Sequence, residues 1–185
     1  MVSSINAGPK DGPLAADALR ARFARTRLPE DPLDVAMPPG LSRWPHGMRE
    51  MLEGPLKPAG VLIPIIERAE GLSLLLTQRA SHLKHHAGQV SFPGGSMEEH
   101  DDDVRATALR ETEEEVGIAP HQVDVIGYLR SMPTITGFAV TPVVGLVREV
   151  AELSIDHTEV EYAFEVPLDY LLDNRNDRLC DREYE

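Results

Sequence analysis

The sequence has little cysteine, few aromatic residues and far fewer basic than acidic side chains. Cys180 is the only cysteine among 185 residues, which excludes an internal disulfide and favours a reducing compartment. Lysine and arginine total 18 against 31 aspartates and glutamates, so the formal net charge is −13. This charge argues against nucleic acid or an anionic membrane as a general partner, because both attract basic surfaces. A nucleotide ligand is still compatible, since glycines, local basic side chains and a metal bind phosphate on acidic proteins.

Long apolar runs are absent as well. No run approaches the roughly 20 residues that span a bilayer, and the N-terminus lacks a basic-then-apolar signal pattern. We therefore expect a cytoplasmic protein that does not contact a membrane. A hydrophobic content of 42% is sufficient for a core, and the length suits one compact domain with an appended arm.

Composition divides the chain near residue 57. Residues 1–56 are predicted to form an N-terminal arm, which consists of a mobile tail, a helix over 14–26 and a proline-rich connection with a short helix around 46–52. The globular domain is predicted to span 57–185. The chain stops in a polar stretch, so either the sequence is shortened or part of the sheet is missing. An exposed strand edge would then favour a homodimer.

Apolar and alternating runs in the globular domain predict β-strands. These runs are 59–67, 72–77, 123–129, 138–147 and 159–166. Pro142 stands inside the fourth run, and this position predicts a bulge or an edge strand because proline cannot donate to a ladder.

An acidic segment that starts near Asp102 has the periodicity of an amphipathic helix. Its apolar positions recur at helical spacing, at Val104, Ala108, Leu109, Thr112 and Val116. Glu111, Glu114 and Glu115 stand at i, i+3 and i+4 and therefore share one face of this helix. Gly117 is predicted to end the helix as a C-terminal cap.

The shared face is unfavourable for stability. Like charges at this spacing repel by roughly 0.2–0.5 kcal/mol per pair, and they lie near the negative end of the helix dipole. One interpretation is a solvated acidic face. The other is a metal site, because carboxylate oxygens suit magnesium or manganese. Gly94 and Gly95, shortly before the helix, favour the second, since glycine permits close backbone approach to a ligand or metal.

This loop and helix closely resemble the Nudix box, the signature of hydrolases that cleave nucleoside diphosphates linked to another group. The second half of the box reads Arg-Glu-apolar-any-Glu-Glu-any-Gly-apolar. The chain matches it in register at Arg110, Glu111, Glu114, Glu115, Gly117 and Ile118. Three positions depart from the pattern: Asp102 stands where a glutamate belongs, Thr112 replaces an apolar residue, and the interval from Gly95 to Arg110 is one residue longer than usual.

The preceding segment, 75–95, resembles the Nudix subfamily that hydrolyses coenzyme A. The motif is matched at Leu75, Leu76, Thr77, Arg79, Ala80, Gly88, Phe92, Pro93, Gly94 and Gly95. Lys84 replaces an arginine of the motif, which keeps the charge and loses the bidentate geometry. The longer box loop is also a feature of this subfamily.

The resemblance implies an α/β fold, a Nudix α/β/α sandwich with a mixed β-sheet, and a C-terminal strand and helix that the domain over 57–185 is expected to lack. It also implies catalytic and metal-binding roles for Glu111, Glu114 and Glu115, with the Gly95 carbonyl as a further ligand of Mg²⁺ or Mn²⁺. Nudix enzymes often bring a late acidic residue toward the metals. Glu159 and Glu161 are the candidates, and an exposed edge strand is the alternative for both.

Other roles follow from the same resemblance. Arg110 is expected to orient the site through an ion pair, which Asp102 could accept. Arg79 and Lys84 are expected to hold substrate phosphates, together with the Gly94–Gly95 backbone. The implied reaction is hydrolysis of coenzyme A or acyl-coenzyme A to 4′-phosphopantetheine and adenosine bisphosphate.

Two alternatives stay open. One is a generic pyrophosphatase for nucleoside diphosphates linked to another group, such as ADP-ribose or NADH. The other is a nucleotide-binding module that does not hydrolyse its ligand. The intact set of Glu111, Glu114 and Glu115 argues against the second, because a pure binder has no need of these repelling charges.

Overall fold

The computed structural model of the protein describes residues 14–83, 86–148 and 152–178, so the predictions for Lys84 and Cys180 lie outside the described residues. The helices are α1 (Ala16–Phe23), α2 (His46–Glu53), α3 (Val104–Val116) and α4 (Leu168–Leu172). The strands are β1 (Lys57–Arg68), β2 (Gly71–Arg79), β3 (Val90–Ser91), β4 (Gly94–Ser96), β5 (Val123–Tyr128), β6 (Met132–Pro133), β7 (Phe138–Val147) and β8 (Val160–Pro167). Within the described ranges, no helix has the length and apolar character needed to cross a membrane.

A mixed sheet lies at the centre of the molecule, with the order β3-β2-β1-β7-β5. Strands β1 and β7 pair in parallel from Lys57 beside Phe138 to Ile66 beside Val147, and the other pairings are antiparallel. Strand β4 pairs with β1, β6 with β7, and β8 with β2. This sheet and its helices confirm the predicted α/β class.

Helix α3 covers one face of the sheet. Successive side chains of a strand point to opposite faces, and the apolar residues of β1 and β7 divide accordingly. Leu62 and Val143 pack against Ala108 of α3, and Ile66 and Val147 pack with the end of the same helix. These apolar side chains are therefore buried between α3 and the strands.

Helix α1 lies on the opposite face, although it belongs to the predicted N-terminal arm. Leu19 packs there with Ile65 of β1 and Leu146 of β7. An ion pair between Arg20 and Asp124 of β5 holds the helix from the side. The sheet is thus enclosed by helices on both faces, as in the predicted sandwich.

Pro142 lies in a central strand, so the edge-strand prediction is wrong. Strand β7 runs between β1 and β5, with Pro142 beside Val61. The Pro142 carbonyl accepts a hydrogen bond from the Leu129 N–H at 3.0 Å, just where β5 has ended and β6 has not begun. The missing N–H thus falls where the ladder is already interrupted between two strands. The irregularity in register lies instead in β5, between Val125 and Gly127.

Helix α3 approaches β1 so closely that its backbone touches the strand at Gly60. A methyl group on Gly60 would overlap the carbonyl oxygen of Val104 and crowd the Ala108 N–H. Gly60 also stands in register with Gly95 of β4. This contact sets the distance between the helix and the sheet.

We expect Gly60→Ala to lower the free energy of unfolding by about 3 kcal/mol, because neither the helix backbone nor the strand can yield cheaply. Urea denaturation followed by circular dichroism measures this change. Gly47→Ala is the matched control, since a methyl group at Gly47 in α2 meets nothing within 4 Å. The control should change stability by less than about 1 kcal/mol, toward higher stability. Equal effects of the two substitutions would contradict the close contact.

Candidate active site

Both ends of α3 are capped, which fixes the positions of its carboxylates. The Asp103 side chain accepts a hydrogen bond at 2.8 Å from the N–H three residues on and so caps the N-terminus. Gly117 caps the C-terminus in the left-handed conformation, with φ of 76°. Between these caps, Glu111 and Glu115 stand one turn apart.

Glu115 is buried, with 4% of its surface exposed. Burial raises the pKa of its carboxyl to about 8, because a charge is poorly solvated there. The charge of Arg79 lowers this pKa, whereas the charges of Glu111 and Glu159 raise it. The Oε2 atom is buried and has no hydrogen-bond partner among the described residues. Such an orphaned acceptor is costly unless a cation or a donor reaches it.

Glu111 lies directly over the double glycine of β4. A methyl group on Gly95 would overlap the Glu111 carboxylate. A larger residue at Gly95 would displace the Glu111 carboxylate, so glycine lets the β4 backbone lie against it. Burial raises the pKa of the Glu111 carboxyl, while the neighbouring Arg110 charge lowers it. Gly94 has φ of 151°, and a side chain on it would overlap the backbone of β1.

Arg110 donates hydrogen bonds to three carboxylates, two on α3 and one in the loop before it. Its Nη1 donates to Glu111 Oε1 and to Glu114 Oε2, each at 3.0 Å. Its Nε and Nη2 donate to the two carboxylate oxygens of Asp101, at 3.0 and 2.9 Å. The predicted orienting role of Arg110 thus has a geometric basis, because one guanidinium fixes three carboxylates. It also offsets the repulsion between Glu111 and Glu114.

The acceptor of the Arg110 ion pair is Asp101, so the sequence-based suggestion of Asp102 is wrong. Asp102 is exposed and precedes the helix cap. The Asp101 side chain is only 3% exposed and also accepts hydrogen bonds from the Thr107 hydroxyl and the Glu98 N–H. Arg110 and these donors hold the Asp101 pKa far below its usual range. The longer loop shifts the aspartate that reaches Arg110 by one position.

Glu159 approaches the site on a loop that is tied to the end of α3. The N–H groups of Ser154 and Asp156 donate to the last carbonyls of the helix, those of Val116 and Glu115, at 3.1 and 3.0 Å. The charge of Glu159 raises the pKa values of both Glu111 and Glu115, which places it within electrostatic reach of them. The predicted metal role of Glu159 is not tested by these contacts.

The alternative candidate, Glu161, makes its hydrogen bonds away from the carboxylates of α3. Its Oε2 accepts hydrogen bonds from the N–H and the hydroxyl of Ser81, both at 3.2 Å. Glu161 therefore supports the segment after β2 and does not join the carboxylates of α3.

Arg79 ends β2 beside the buried carboxylate. Its Nη1 lies 3.8 Å from Glu115 Oε1, and its Nε is buried without a hydrogen-bond partner among the described residues. The phosphate-binding roles predicted for Arg79 and for the Gly94–Gly95 backbone stay predictions. Lys84, predicted to act with them, lies outside the described residues.

The donor set suits a hard divalent cation. Within residues 14–83, 86–148 and 152–178, no three acidic, histidine or cysteine side chains converge into a ready-made metal cluster. Arg110 instead donates hydrogen bonds to Glu111 and Glu114. Arg79 lies near Glu115. Two features nevertheless fit Mg²⁺ or Mn²⁺: the orphaned Oε2 of Glu115, and the glycine that exposes β4 backbone to Glu111.

A separate open cavity of about 520 Å³ lies between α3 and β5. Its walls include Leu109, Val123 and Val125, with Arg110 and Asp101 at one side. Glu111 and Glu115 do not line it. We therefore do not assign it to the carboxylate site.

Sequence reasoning missed two features of the site. Gly60 carries no motif, and its role appears only when β1 and α3 are brought together. Thr107 gave no signal either, although its hydroxyl helps to fix Asp101 at 3.0 Å. Thr112, noted as a departure from the box, is buried and its hydroxyl donates to the Ala108 carbonyl at 2.6 Å. The threonine is tolerated because its polar atom is satisfied within the helix.

Comparison with known proteins identifies the family. A sequence model of the NUDIX domain matches residues 56–183, more than half of the chain. The chain therefore belongs to the Nudix hydrolase family, and the resemblance of its box is confirmed.

The curated relatives carry the name uncharacterized Nudix hydrolase NudL. The protein from Escherichia coli O7:K1 is 52% identical over 110 residues, which cover 60% of this chain and 57% of that relative. The protein from Escherichia fergusonii is 51% identical over 110 residues, with the same coverage. The chain thus spans little more than half the length of these relatives. Its assignment to the coenzyme A subfamily stays a prediction.

Solved structures share the fold. The Nudix hydrolase RenU from M. smegmatis superposes with a TM-score of 0.54 at 21% identity, covering 65% of this chain and 76% of that chain. The Ap4A hydrolase of C. elegans in a binary complex superposes with a TM-score of 0.51 at 19% identity, covering 63% and 84%. At these identities the likeness concerns the fold alone.

We expect Asp101→Asn to lower the free energy of unfolding at neutral pH by about 2–4 kcal/mol, because it leaves Arg110 without its buried counter-ion. The pKa of Asp101 is depressed in the folded protein, so its stabilisation is present above the unfolded value of about 4 and is lost as the pH falls below it. The difference from the unaltered protein should therefore shrink by about pH 3. Urea denaturation at both pH values measures it.

Asp102→Asn is the matched control for this substitution. Asp102 is exposed, so its change should alter stability by less than about 0.5 kcal/mol at either pH. A larger effect of Asp102→Asn than of Asp101→Asn would restore the sequence-based assignment.

Proposed function

We propose that the protein is a metal-dependent pyrophosphatase that hydrolyses coenzyme A or acyl-coenzyme A to 4′-phosphopantetheine and adenosine bisphosphate. The observation that carries the proposal is the buried carboxylate of Glu115, with its orphaned Oε2, one helical turn from Glu111 over Gly95. A protein that needed only stability would not bury this carboxyl without a partner for both of its oxygens. A cation bound at this carboxyl would supply the missing partner, and it would attract an anionic diphosphate to the same place.

The residues that would hold Mg²⁺ or Mn²⁺ are Glu111 and Glu115, with Glu114, the Gly95 carbonyl and Glu159 as further ligands. When bound, a divalent cation neutralises diphosphate charge and lowers the pKa of water. Glu114 is 59% exposed at its side chain and bonded to Arg110, so it is the ligand that must change its contacts most.

The protein's own side chains supply orientation and charge around this centre. Arg110 positions Glu111 through the 3.0 Å hydrogen bond, and Asp101 in turn positions Arg110. Arg79 and Lys84 offer positive charge to the substrate phosphates. The Gly94–Gly95 backbone lies close to the carboxylates because glycine permits that approach.

Support for coenzyme A as substrate comes from the motif over 75–95. In the structure this segment starts within β2, passes through Arg79 and ends at Gly95 against Glu111. The motif therefore leads into the carboxylate site and does not lie apart from it. The homodimer and the cytoplasmic location stay predictions.

A substrate panel tests this proposal. We expect purified protein with magnesium to convert coenzyme A to 4′-phosphopantetheine and adenosine bisphosphate faster than it cleaves ADP-ribose, NADH or diadenosine polyphosphates. Separation of the products by chromatography measures each rate. Turnover of ADP-ribose or NADH without turnover of coenzyme A would overturn the substrate while leaving the pyrophosphatase. No turnover of any compound would favour a binding module.

Glu111→Gln tests the catalytic role of the helix. We expect the rate constant for turnover to fall on the order of a hundredfold or more, because the amide cannot supply the negative charge that a divalent cation requires. Circular dichroism checks that the fold is retained. Glu113→Gln is the matched control, since Glu113 is exposed on the same helix and its removal should leave turnover within about twofold. Equal rates for the two variants would exclude Glu111 from the chemistry.

A further inference from the structure

Arg79 has an anchored backbone and a side chain with unused donors. Its N–H donates to the Gln89 carbonyl at 2.9 Å, and its carbonyl accepts from the Gly88 N–H at 3.0 Å. The pairing of β2 with β8 shifts register between Gln78 and Arg79, and such an irregularity redirects the side chain at a strand end. The backbone at the end of β2 therefore sets the direction of the Arg79 side chain.

This guanidinium lies beside the carboxyl of Glu115, the proposed cation ligand, without a hydrogen bond to it. The distance of 3.8 Å from Arg79 Nη1 to Glu115 Oε1 allows strong attraction but exceeds a hydrogen bond. Arg79 Nε and Glu115 Oε2 are both buried and both lack partners among the described residues. A cationic donor and a carboxyl acceptor thus lie side by side, and each has a buried atom without a partner: a donor for an anion on Arg79 and an acceptor for a cation on Glu115.

The attraction between Arg79 and Glu115 acts in opposite directions on the two ligands of the site. A divalent cation at Glu115 is repelled by the neighbouring guanidinium, so Arg79 weakens cation binding. Once a cation neutralises Glu115, the guanidinium loses its counter-ion and its donors are available to an anion. By thermodynamic linkage, each ligand then strengthens the binding of the other.

We infer that Arg79 couples cation binding to diphosphate binding. Without ligands its guanidinium is the internal counter-ion of Glu115, and when a cation binds Glu115 the guanidinium pairs with the substrate phosphates instead. This rests on the proposed function and extends it, because it assigns to one arginine both a weakening of cation binding in the absence of substrate and the recognition of the diphosphate. Arg79 is a positioning and binding residue in this scheme.

The experiment measures two affinities in the full chain. Chelator-treated protein is titrated with Mn²⁺ by calorimetry at neutral pH, and ADP is titrated into the protein in excess Mg²⁺. We expect Arg79→Gln to bind Mn²⁺ roughly tenfold more tightly, because a repelling charge close to the cation is gone. The same variant should bind ADP roughly tenfold more weakly, because a charged donor to the phosphates is gone. A merely structural role would weaken both.

Variants separate charge from structure. Arg79→Lys keeps the positive charge and should restore both affinities to within about threefold. If Arg79→Gln fails to fold, Arg79→Met carries the same expectation, because its long apolar stem replaces the packing without the charge. Arg105→Gln is the matched control: Arg105 is half exposed, pairs with Asp103, and should leave both affinities unchanged.

The outcomes distinguish this inference from the proposed function. Absence of Mn²⁺ binding to the unaltered protein overturns the proposed function and the inference with it. Mn²⁺ binding that is equal or weaker in folded Arg79→Gln overturns the inference alone. Tighter Mn²⁺ binding together with weaker ADP binding supports the coupling.

Discussion

The close contact between α3 and β1 is the constraint on which the rest of the site depends. Gly60 lets the helix backbone meet the strand, and Gly95, its register partner on β4, lets Glu111 lie over the sheet. With the helix held at this distance, Glu115 points into the interior and is nearly inaccessible to water. The electrostatics of the site are a consequence of this packing, because burial is the largest cause of the raised pKa values of both glutamates.

The charges are arranged so that the glutamates of α3 are compensated incompletely. Arg110 serves Asp101, Glu111 and Glu114 together, and Arg79 approaches Glu115 without a hydrogen bond. Full compensation would neutralise the cluster and leave no demand for another cation. Complete absence of arginine would make the folded protein unstable, since unpaired buried charges cost several kcal/mol. The observed balance keeps the protein folded and leaves negative charge available to a ligand.

Much of the fold and the box could be predicted from the sequence, because these depend on local periodicity and spacing. The strand over 138–147 and the helix that starts at His46 are confirmed, as is the capping role of Gly117. Arg110, Glu111 and Glu115 share the helix that the spacing indicated. These predictions succeeded because i, i+4 geometry and cap chemistry involve only neighbouring residues.

The features that the sequence did not predict depend on tertiary structure instead of local spacing. Asp101 and Asp102 are chemically identical, and only the path of the loop decides which one reaches Arg110. Pro142 is tolerated in a central strand because β5 ends before it and β6 begins after it, which is a property of a neighbouring strand. The proximity of Arg79 to Glu115 depends on where β2 ends relative to α3. Each of these facts depends on the path of a loop or the extent of a neighbouring strand, and one sequence does not encode such tertiary distances in any local pattern.

The loops around the site are tied to one another, which bears on how substrate contacts reach the carboxylates. The segment after β2 is held to the start of β8 by Ser81 with Glu161, and to the Glu159 loop by His82 with the Thr158 carbonyl at 3.1 Å. The same loop is held to the last carbonyls of α3 through Asp156. A ligand that displaces the end of β2 must therefore strain or shift the attachment of Glu159 and the last turn of α3. The end of β2 and the carboxylates of α3 are thus parts of one hydrogen-bonded structure.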